Sequence, residues 1–371
     1  MDKILGIQVN ELFCRECGHV TRHGLLSFPS KELFLFGGRM RIFHSKWFRA
    51  VALIALPLAC IVISLFSGRF FLSPAEVFST LLHPVPGAAA TTVVFQLRLP
   101  RSVAAAFVGA SLSASGAAYQ GVFRNPLVNS SLLGVSQGAG FGAALSIVLL
   151  GGGAALYPCA FLFAVLAVIL SILSGRICNT NTNVTLILGG VIVSSFFSAL
   201  TSILKYMADP YSQLPAITFW FMGSFASVGT THLVAVIPML LGLALIYLCR
   251  WKINILSMGD REAAALGLNL NFYKLLLIGG ATLCTTAAVC ISGVIGWVGL
   301  VIPHIGRMLV GNDNDRLIPV SMSLGAAFLV VIDILARNLT AAELPIGILT
   351  ALIGTPFFVY LLKKTKGGAW Q

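Results

Sequence analysis

Few residues in this sequence combine types and spacings that could do chemistry. Cys14 and Cys17, followed by His19 and His23, mimic half of a zinc site, but the spacing is compressed relative to a Cys2His2 finger. Asn312-Asp313-Asn314-Asp315 offers oxygen ligands of the kind calcium takes, without the downstream glutamate of an EF-hand loop. Asp333 stands four residues before Arg337, which pairs the two on one helix face. Arg98 and Arg101 flank Leu99-Pro100 and present guanidinium groups suited to bidentate pairing with carboxylates. The run Ser257 to Leu268, with Asp260, Arg261 and Glu262, is the most charged segment between the first long apolar run and the last. Nothing forms a hydrolytic triad or a supported acid/base pair, and His304 after Pro303 reads as structural. No Gly-x-x-x-x-Gly-Lys-Ser/Thr sequence is present, so the chain carries no phosphate-cradling loop. If ATP drives this protein, another subunit hydrolyses it.

The elements that must hold these residues are apolar. Of 371 residues, 57% are hydrophobic and 10% charged, whereas a soluble domain carries about 25% charged residues. A soluble enzyme is thereby excluded, and so is a disordered chain, which would be poor in apolar residues. The net charge of +12 is spread thinly between apolar runs. A nucleic-acid binder concentrates its charge on a wet face, so no nucleic-acid partner is expected. An integral membrane protein in contact with lipid remains, its excess basic charge gathered on one side.

A helix crosses a bilayer with about 20 mostly apolar residues. The charge-free stretches predict an all-α polytopic protein with ten transmembrane helices. Spans are expected within Ala50–Ser67 and Ser102–Phe123, and two more within Asn125–Gly175, turning at Gly151-Gly152-Gly153 and Pro158. A fifth lies in Ile177–Leu204 and a sixth near Leu233–Cys249. Between them, Tyr211–Gly229 is interrupted by Pro215 and Gly223 and reads as a short re-entrant or surface helix. Leu275–Gly306 is too long for one span, and Gly293, Gly296 and Gly299 divide it into the seventh and eighth. Leu317–Ala336 and Leu344–Leu362 complete the set.

Ten spans put both termini on one side. With the N-terminus cytoplasmic, fifteen basic residues of this pattern fall inside and five outside, namely Arg69, Arg98, Arg101, Lys205 and Arg337. That ratio satisfies the positive-inside rule, and the five exceptions require a reason. Residues 1–39 stand apart as an N-terminal extension: either a stretch ahead of a true start at Met40 or a small cytoplasmic appendage. They lack the apolar core of a signal peptide. Residues 40–371 form the transmembrane domain.

The remaining features are mostly structural. Gly134, Gly138 and Gly142, and Gly109 with Ser113 and Ala117, place small residues on one helix face, which lets helices approach closely in lipid. Cys60, Cys159, Cys178, Cys249, Cys284 and Cys290 read as small apolar fillers. No charge falls at the centre of a span, which disfavours an ion-coupled secondary carrier. The segment Asp260 to Leu268 reads as a short helix ended by Gly267 with another helix beginning near Asn269, a shape suited to a groove on a soluble partner.

Several strings then appear in order: Arg98-Leu99-Pro100-Arg101, Gly116-Ala117-Ala118-Tyr119-Gln120, Arg124-Asn125-Pro126-Leu127 and Leu133-Gly134-Val135-Ser136-Gln137-Gly138-Ala139. Trp220-Phe221-Met222-Gly223-Ser224, Ala265-Leu266-Gly267, Gly299-Leu300-Val301-Ile302-Pro303-His304 and Glu343-Leu344-Pro345-Ile346-Gly347 follow. From about Met40 to Lys366 the chain resembles the FecCD-type permease subunits of binding-protein-dependent ABC importers, which take up iron-siderophores, haem and vitamin B12. The resemblance implies the type II importer permease fold, a homodimer with its pathway on the dimer axis, two ATP-binding cassette subunits below and a periplasmic or lipid-anchored binding protein above. The location implied is the cytoplasmic (inner) membrane. No cofactor would be bound by this chain, and ATP and Mg would sit on the partner subunit. Arg98, Arg101 and Arg337 would meet acidic residues of the binding protein. Asp260, Arg261, Glu262, Ala263, Ala264, Ala265, Leu266, Gly267 and Leu268 would form the coupling helices seated on the ATPase. Asn125 and Leu127 match one cytoplasmic gate. Asn183 and Val184 match a second, where relatives carry small hydroxyl residues. An iron chelate is the first substrate expected, vitamin B12 the next, and an oxyanion such as molybdate the last.

Overall fold

A computed structural model describes residues 46–177, 183–340 and 342–364. Contacts divide the chain into Met1–Arg49 and Ala50–Gln371. The expected boundary at 39/40, Cys14, Cys17, His19, His23 and Cys178 lie outside the described residues.

The described chain is helical, with no strand among the described residues. Helix α1 (Lys46–Phe66) is followed by the short α2 (Pro74–Leu82) and α3 (Ala89–Thr91). The latter runs through a π-helical turn, Thr92–Arg98, into α4 (Leu99–Val122). Then come α5 (Val135–Leu149), α6 (Leu156–Ile177), α7 (Asn183–Met207), α8 (Gln213–Met222), α9 (Val236–Leu248), α10 (Arg250–Met258) and α11 (Asp260–Ala265). The last four are α12 (Leu270–Ser292), α13 (Val298–Val310), α14 (Asn314–Asn338) and α15 (Ile346–Lys364). Among the described residues, six helical stretches are long and apolar enough to cross a membrane, and four shorter apolar helices accompany them. These ten coincide with the ten spans read from the sequence. The interrupted stretch after the fifth span is α8, closed by Gly223 at φ 72°.

Helix α4 is the axle of the bundle. It packs against α9, α12, α13 and α14 and is buried along nearly its whole length. In lipid the hydrophobic effect does not draw helices together, so close backbone approach and interhelical hydrogen bonds must. The α4 sequence supplies both. A Cβ on Gly109 would lie 2.1 Å from the Gly325 carbonyl oxygen of α14, and one on Gly116 would lie 1.9 Å from that of Gly299 in α13. Tyr119 Oη shares a hydrogen bond with Thr282 Oγ1 at 3.2 Å, and Thr285 Oγ1 donates to Ser115 Oγ at 3.1 Å, fastening α12. The small residues of α4 therefore form packing seams inside the subunit. Gly138 and Gly142 do the same for α5 against the backbone of α6, while Gly134 caps α5 at φ 80°.

One break differs in detail from the sequence reading. The seventh and eighth spans separate between Gly293 (φ 68°) and Trp297 (φ 68°), but Gly299 lies inside α13 and serves the contact with α4. The helix expected to begin near Asn269 is α12, which starts at Leu270 and continues as the seventh span. Asn269 caps it, its side chain accepting from the Phe272 amide at 3.1 Å. Asn269→Ala is expected to lower stability by about 1 kcal/mol, with Ser retaining most of it. Thermal unfolding of the purified protein reads the difference, and an unchanged midpoint for the Ala variant would contradict the assignment.

Candidate functional site

The structure gathers two sets of charged side chains at opposite ends of α4. Its 24 residues span about 36 Å at 1.5 Å per residue. At one end, α1 approaches α4 and α14 through Ser64 Oγ, which bonds Ser102 Oγ at 2.6 Å and accepts from Arg337 Nη2 at 2.6 Å. Asp333, fully buried, lies between two arginines: Arg101 Nε at 2.8 Å from Oδ1 and Arg337 Nε at 3.1 Å from Oδ2. The Asp333-Arg337 pair expected from its spacing is therefore present. Arg101 Nη1 also reaches Glu343, 2.9 Å from Oε2. Arg98 donates to the carbonyls of Leu65 and Phe70, each at 2.6 Å.

This geometry corrects one expectation. Arg98, Arg101 and Arg337 do not project outward; all three are buried. A buried guanidinium must have its charge and donors answered, and carboxylates and helix-end carbonyls of this same chain answer them. What they present to the outside is a recess of about 230 Å³, lined by Arg69, Arg98, Arg101, Arg337 and Glu343 together with apolar residues such as Leu97 and Val228. Four of the five basic residues on the sparsely charged side thus converge on one recess. The fifth, Lys205, lies 4.7 Å from the centre of the Phe221 ring. Arg69, the exposed member, donates to the carbonyls of Arg337 (3.2 Å) and Thr340 (2.7 Å).

At the other end, Asp260 opens α11 after Gly259, whose φ of 142° suits glycine. Gly267 (φ 75°) closes the turn, with its amide bonded to Ala264 O and that of Leu268 to Ala263 O. This is the pattern by which glycine ends helices. Ala263 and Leu268 are buried and anchor the segment, while Arg261, Glu262, Ala264, Ala265, Leu266 and Gly267 are exposed. Leu127 and Val184 are exposed apolar side chains at the same end, 55% and 63% accessible. Asn125 Oδ1 accepts from the Leu127 amide at 2.9 Å, which fixes the turn after α4. Asn183 reaches the Val122 carbonyl at 3.3 Å. All the expected coupling and gate residues that are described here therefore lie at one end.

Other polar contacts at this end carry no signal in the sequence. Arg307 Nη1 donates to Gln120 Oε1 at 2.6 Å, and Lys274 Nζ lies 2.8 Å from Asp260 Oδ2. Asp313 caps α14 and accepts from Asn254 at 2.8 Å, so the calcium-like run serves as a helix cap. Among the described residues no three of His, Cys, Asp and Glu cluster as a metal site would require.

The sequence model of the FecCD transport family matches residues 55–364. The chain belongs to the FecCD transport family. Relatives in it include a molybdate import system permease of Haemophilus influenzae, 41% identical over 83% of this chain and 93% of the relative. A probable iron chelatin transport system permease of Helicobacter pylori is 38% identical over 84% of this chain and 98% of its own length. A vitamin B12 import system permease of Klebsiella pneumoniae is 36% identical over 87% and 95%. Among solved structures, an inward-facing ABC transporter described as of metal-chelate type superposes with a TM-score of 0.76 at 40% identity, covering 84% of this chain and 98% of that one. This FecCD member is thus a multi-pass membrane protein with the fold of ABC importer permeases.

Proposed function

We propose that this chain is the membrane subunit of an importer for a metal-bearing solute, an iron chelate first, and that it works as a homodimer. Two ATPase subunits would bind the end bearing α11, and a binding protein would dock on the end bearing the arginine recess. The chain itself would hydrolyse nothing. Both termini would be cytoplasmic, which the basic-residue count supports. The observation that carries this reading is the separation of the two ends by α4. One offers an exposed helix with Leu266 at its tip, the other a recess lined by four guanidiniums and the carboxylate of Glu343, with Asp333 buried behind them. The cationic excess suits an inserted carboxylate from a partner.

In this reading Arg98, Arg101 and Arg337 build the recess that receives the binding protein. The segment from Asp260 to Leu268 takes up the closure of the ATPase pair, and Asn125, Leu127, Asn183 and Val184 bound the pathway. A molybdate importer is the second reading, favoured by the 41% identical relative.

Arg69→Glu tests docking with the least disturbance to the buried cluster. It is expected to weaken binding-protein affinity about tenfold and to reduce the sensitivity of docking to salt. Unchanged affinity and salt response would remove the recess from the docking surface. Titrating the isolated binding protein calorimetrically with a ferric chelate, cobalamin and molybdate tests the substrate. Tight binding of the ferric chelate alone is expected, and molybdate binding would establish the second reading.

A further inference from the structure

The polar groups at the α11 end close a ring. Asp260 Oδ2 pairs with Lys274 Nζ at 2.8 Å. The same ammonium donates to Asn183 Oδ1 at 3.3 Å. Asn183 Nδ2 donates in turn to the Val122 carbonyl, in the last turn of α4, at 3.3 Å. Two residues beyond, Arg124 Nη2 returns to Asp260 Oδ1 at 3.7 Å. The ring joins the helix that faces the proposed ATPase to the turn bearing Leu127 and to the start of α7 bearing Val184. Asp260 touches both arcs, one carboxylate oxygen on each.

Arg124 marks this arrangement as more than a surface ion pair. Its φ is 52°, a left-handed conformation that penalises every side chain but not glycine. The amide of Asn125 bonds Gln120 O at 3.1 Å and that of Arg124 bonds Gly121 O at 3.3 Å. Helix ends of this form usually place glycine at that position. Here an arginine occupies it, and its guanidinium points to Asp260. The two oxygens of Asp260 are also unequal. Oδ2 holds Lys274 closely, whereas Oδ1 is buried and, among the described residues, accepts no hydrogen bond, with Arg124 at 3.7 Å. A carboxylate oxygen withdrawn from water gains from a shorter contact, so a small displacement of α11 toward the α4 turn would tighten the Arg124 arc.

We propose that Asp260 is a positioning residue that transmits movement of α11 to the two gate segments, through Arg124 to the turn bearing Leu127 and through Lys274 and Asn183 to the start of α7. The inference rests on the transport reading above. It assigns the two arcs separately: loss of the Arg124 arc uncouples Leu127, and loss of the Lys274 arc uncouples Val184.

The test uses the full complex with its ATPase subunits in lipid nanodiscs and needs no transported solute. Leu127→Cys and Val184→Cys report gate accessibility through their rate of maleimide labelling, above that of the chain without the added cysteine. Rates are compared between the nucleotide-free state and the state trapped with ATP and vanadate. In the otherwise unaltered complex each rate is expected to change about fivefold or more between states, the scale of ordinary coupling between sites. With Arg124→Gly the Leu127→Cys response should vanish while Val184→Cys still responds. With Lys274→Met the pattern should reverse, and Asp260→Asn should abolish both. For Arg124→Gly and Lys274→Met, which lie outside the segment proposed to seat the ATPase, complex yield and ATP hydrolysis should stay within about twofold of the parent. Arg124→Gly removes the left-handed penalty, so misfolding cannot explain its effect.

Intact responses in Asp260→Asn would overturn the proposal. So would loss of ATPase binding in that variant, which would make Asp260 a seating residue. Failure of the parent chain to bind an ATPase, or to respond to nucleotide, would overturn the transport reading itself and this inference with it.

Discussion

Asp333→Ala is expected to cost about 3–5 kcal/mol of stability, the range for removing one partner from a buried ion pair. Asp333 is fully buried and is the shared counter-ion of Arg101 and Arg337. Without it, Arg101 keeps Glu343, whereas Arg337, among the described residues, keeps neutral hydrogen-bond acceptors: the hydroxyl of Ser64 and the carbonyls of Ser67 and residue 333. The variant should show a lowered unfolding midpoint in detergent and a reduced yield of folded chain. A companion variant separates charge balance from packing: Asp333→Leu with Arg101→Met and Arg337→Met. Replacing a whole buried ionic triad by apolar groups is often neutral or stabilising, so this triple variant should recover most of the stability. It should nonetheless lose binding-protein docking, because the recess has lost two guanidiniums. Parental stability in Asp333→Ala alone would show that the cluster is not a structural element.

The second large effect is expected at the α4–α13 crossing. Gly116→Leu places a Cβ 1.9 Å from the Gly299 carbonyl oxygen and 2.7 Å from the Gly299 Cα. These are backbone atoms, so no neighbouring side chain can rotate away, and the helices must separate. Overpacking a well-filled core costs about 1–3 kcal/mol even where side chains can adjust. At a backbone contact the cost should reach or exceed the top of that range, with little folded protein recovered. Gly279→Ala in α12 is the control. It adds the same Cβ where nothing lies within 4 Å, and helix propensity favours Ala there by about 1 kcal/mol. Similar yields for Gly116→Leu and Gly279→Ala would refute close approach as the basis of this packing.

The spans were readable because lipid imposes a length and a polarity on every crossing helix, and both are local properties of a sequence. The Gly267 stop and the Asp333-Arg337 pair were readable for the same reason, being complete within a few residues. The burial of Arg98, Arg101 and Arg337 was not. An arginine at the edge of a span reads alike whether it reaches outward to headgroups or inward to a carboxylate, and Glu343 lies far along the chain in the loop between α14 and α15. Lys274, Gln120 and Arg307 were missed on the same ground: each meets a partner whose distance in the chain carries no periodic signal. Gly299 illustrates a subtler limit. A glycine that breaks a helix and one that admits a neighbouring backbone are the same letter, and only the packing of α13 on α4 tells them apart.

The cluster around Asp333 also has a history in time. Arg101 is joined to Asp333 across 232 residues of chain and to Glu343 across 242. In a protein made from its N-terminus and inserted span by span, α4 is in place long before α14 exists. Through that interval Arg98 can find the nearby carbonyls of Leu65 and Phe70, whereas Arg101 lacks both carboxylates that it meets in the folded subunit. The recess around Arg101 therefore cannot be completed until Glu343, beyond the ninth span, has been made. Insertion of the ninth span, α14, supplies Asp333 to Arg101 and so ties the second span, α4, to its neighbour at this end.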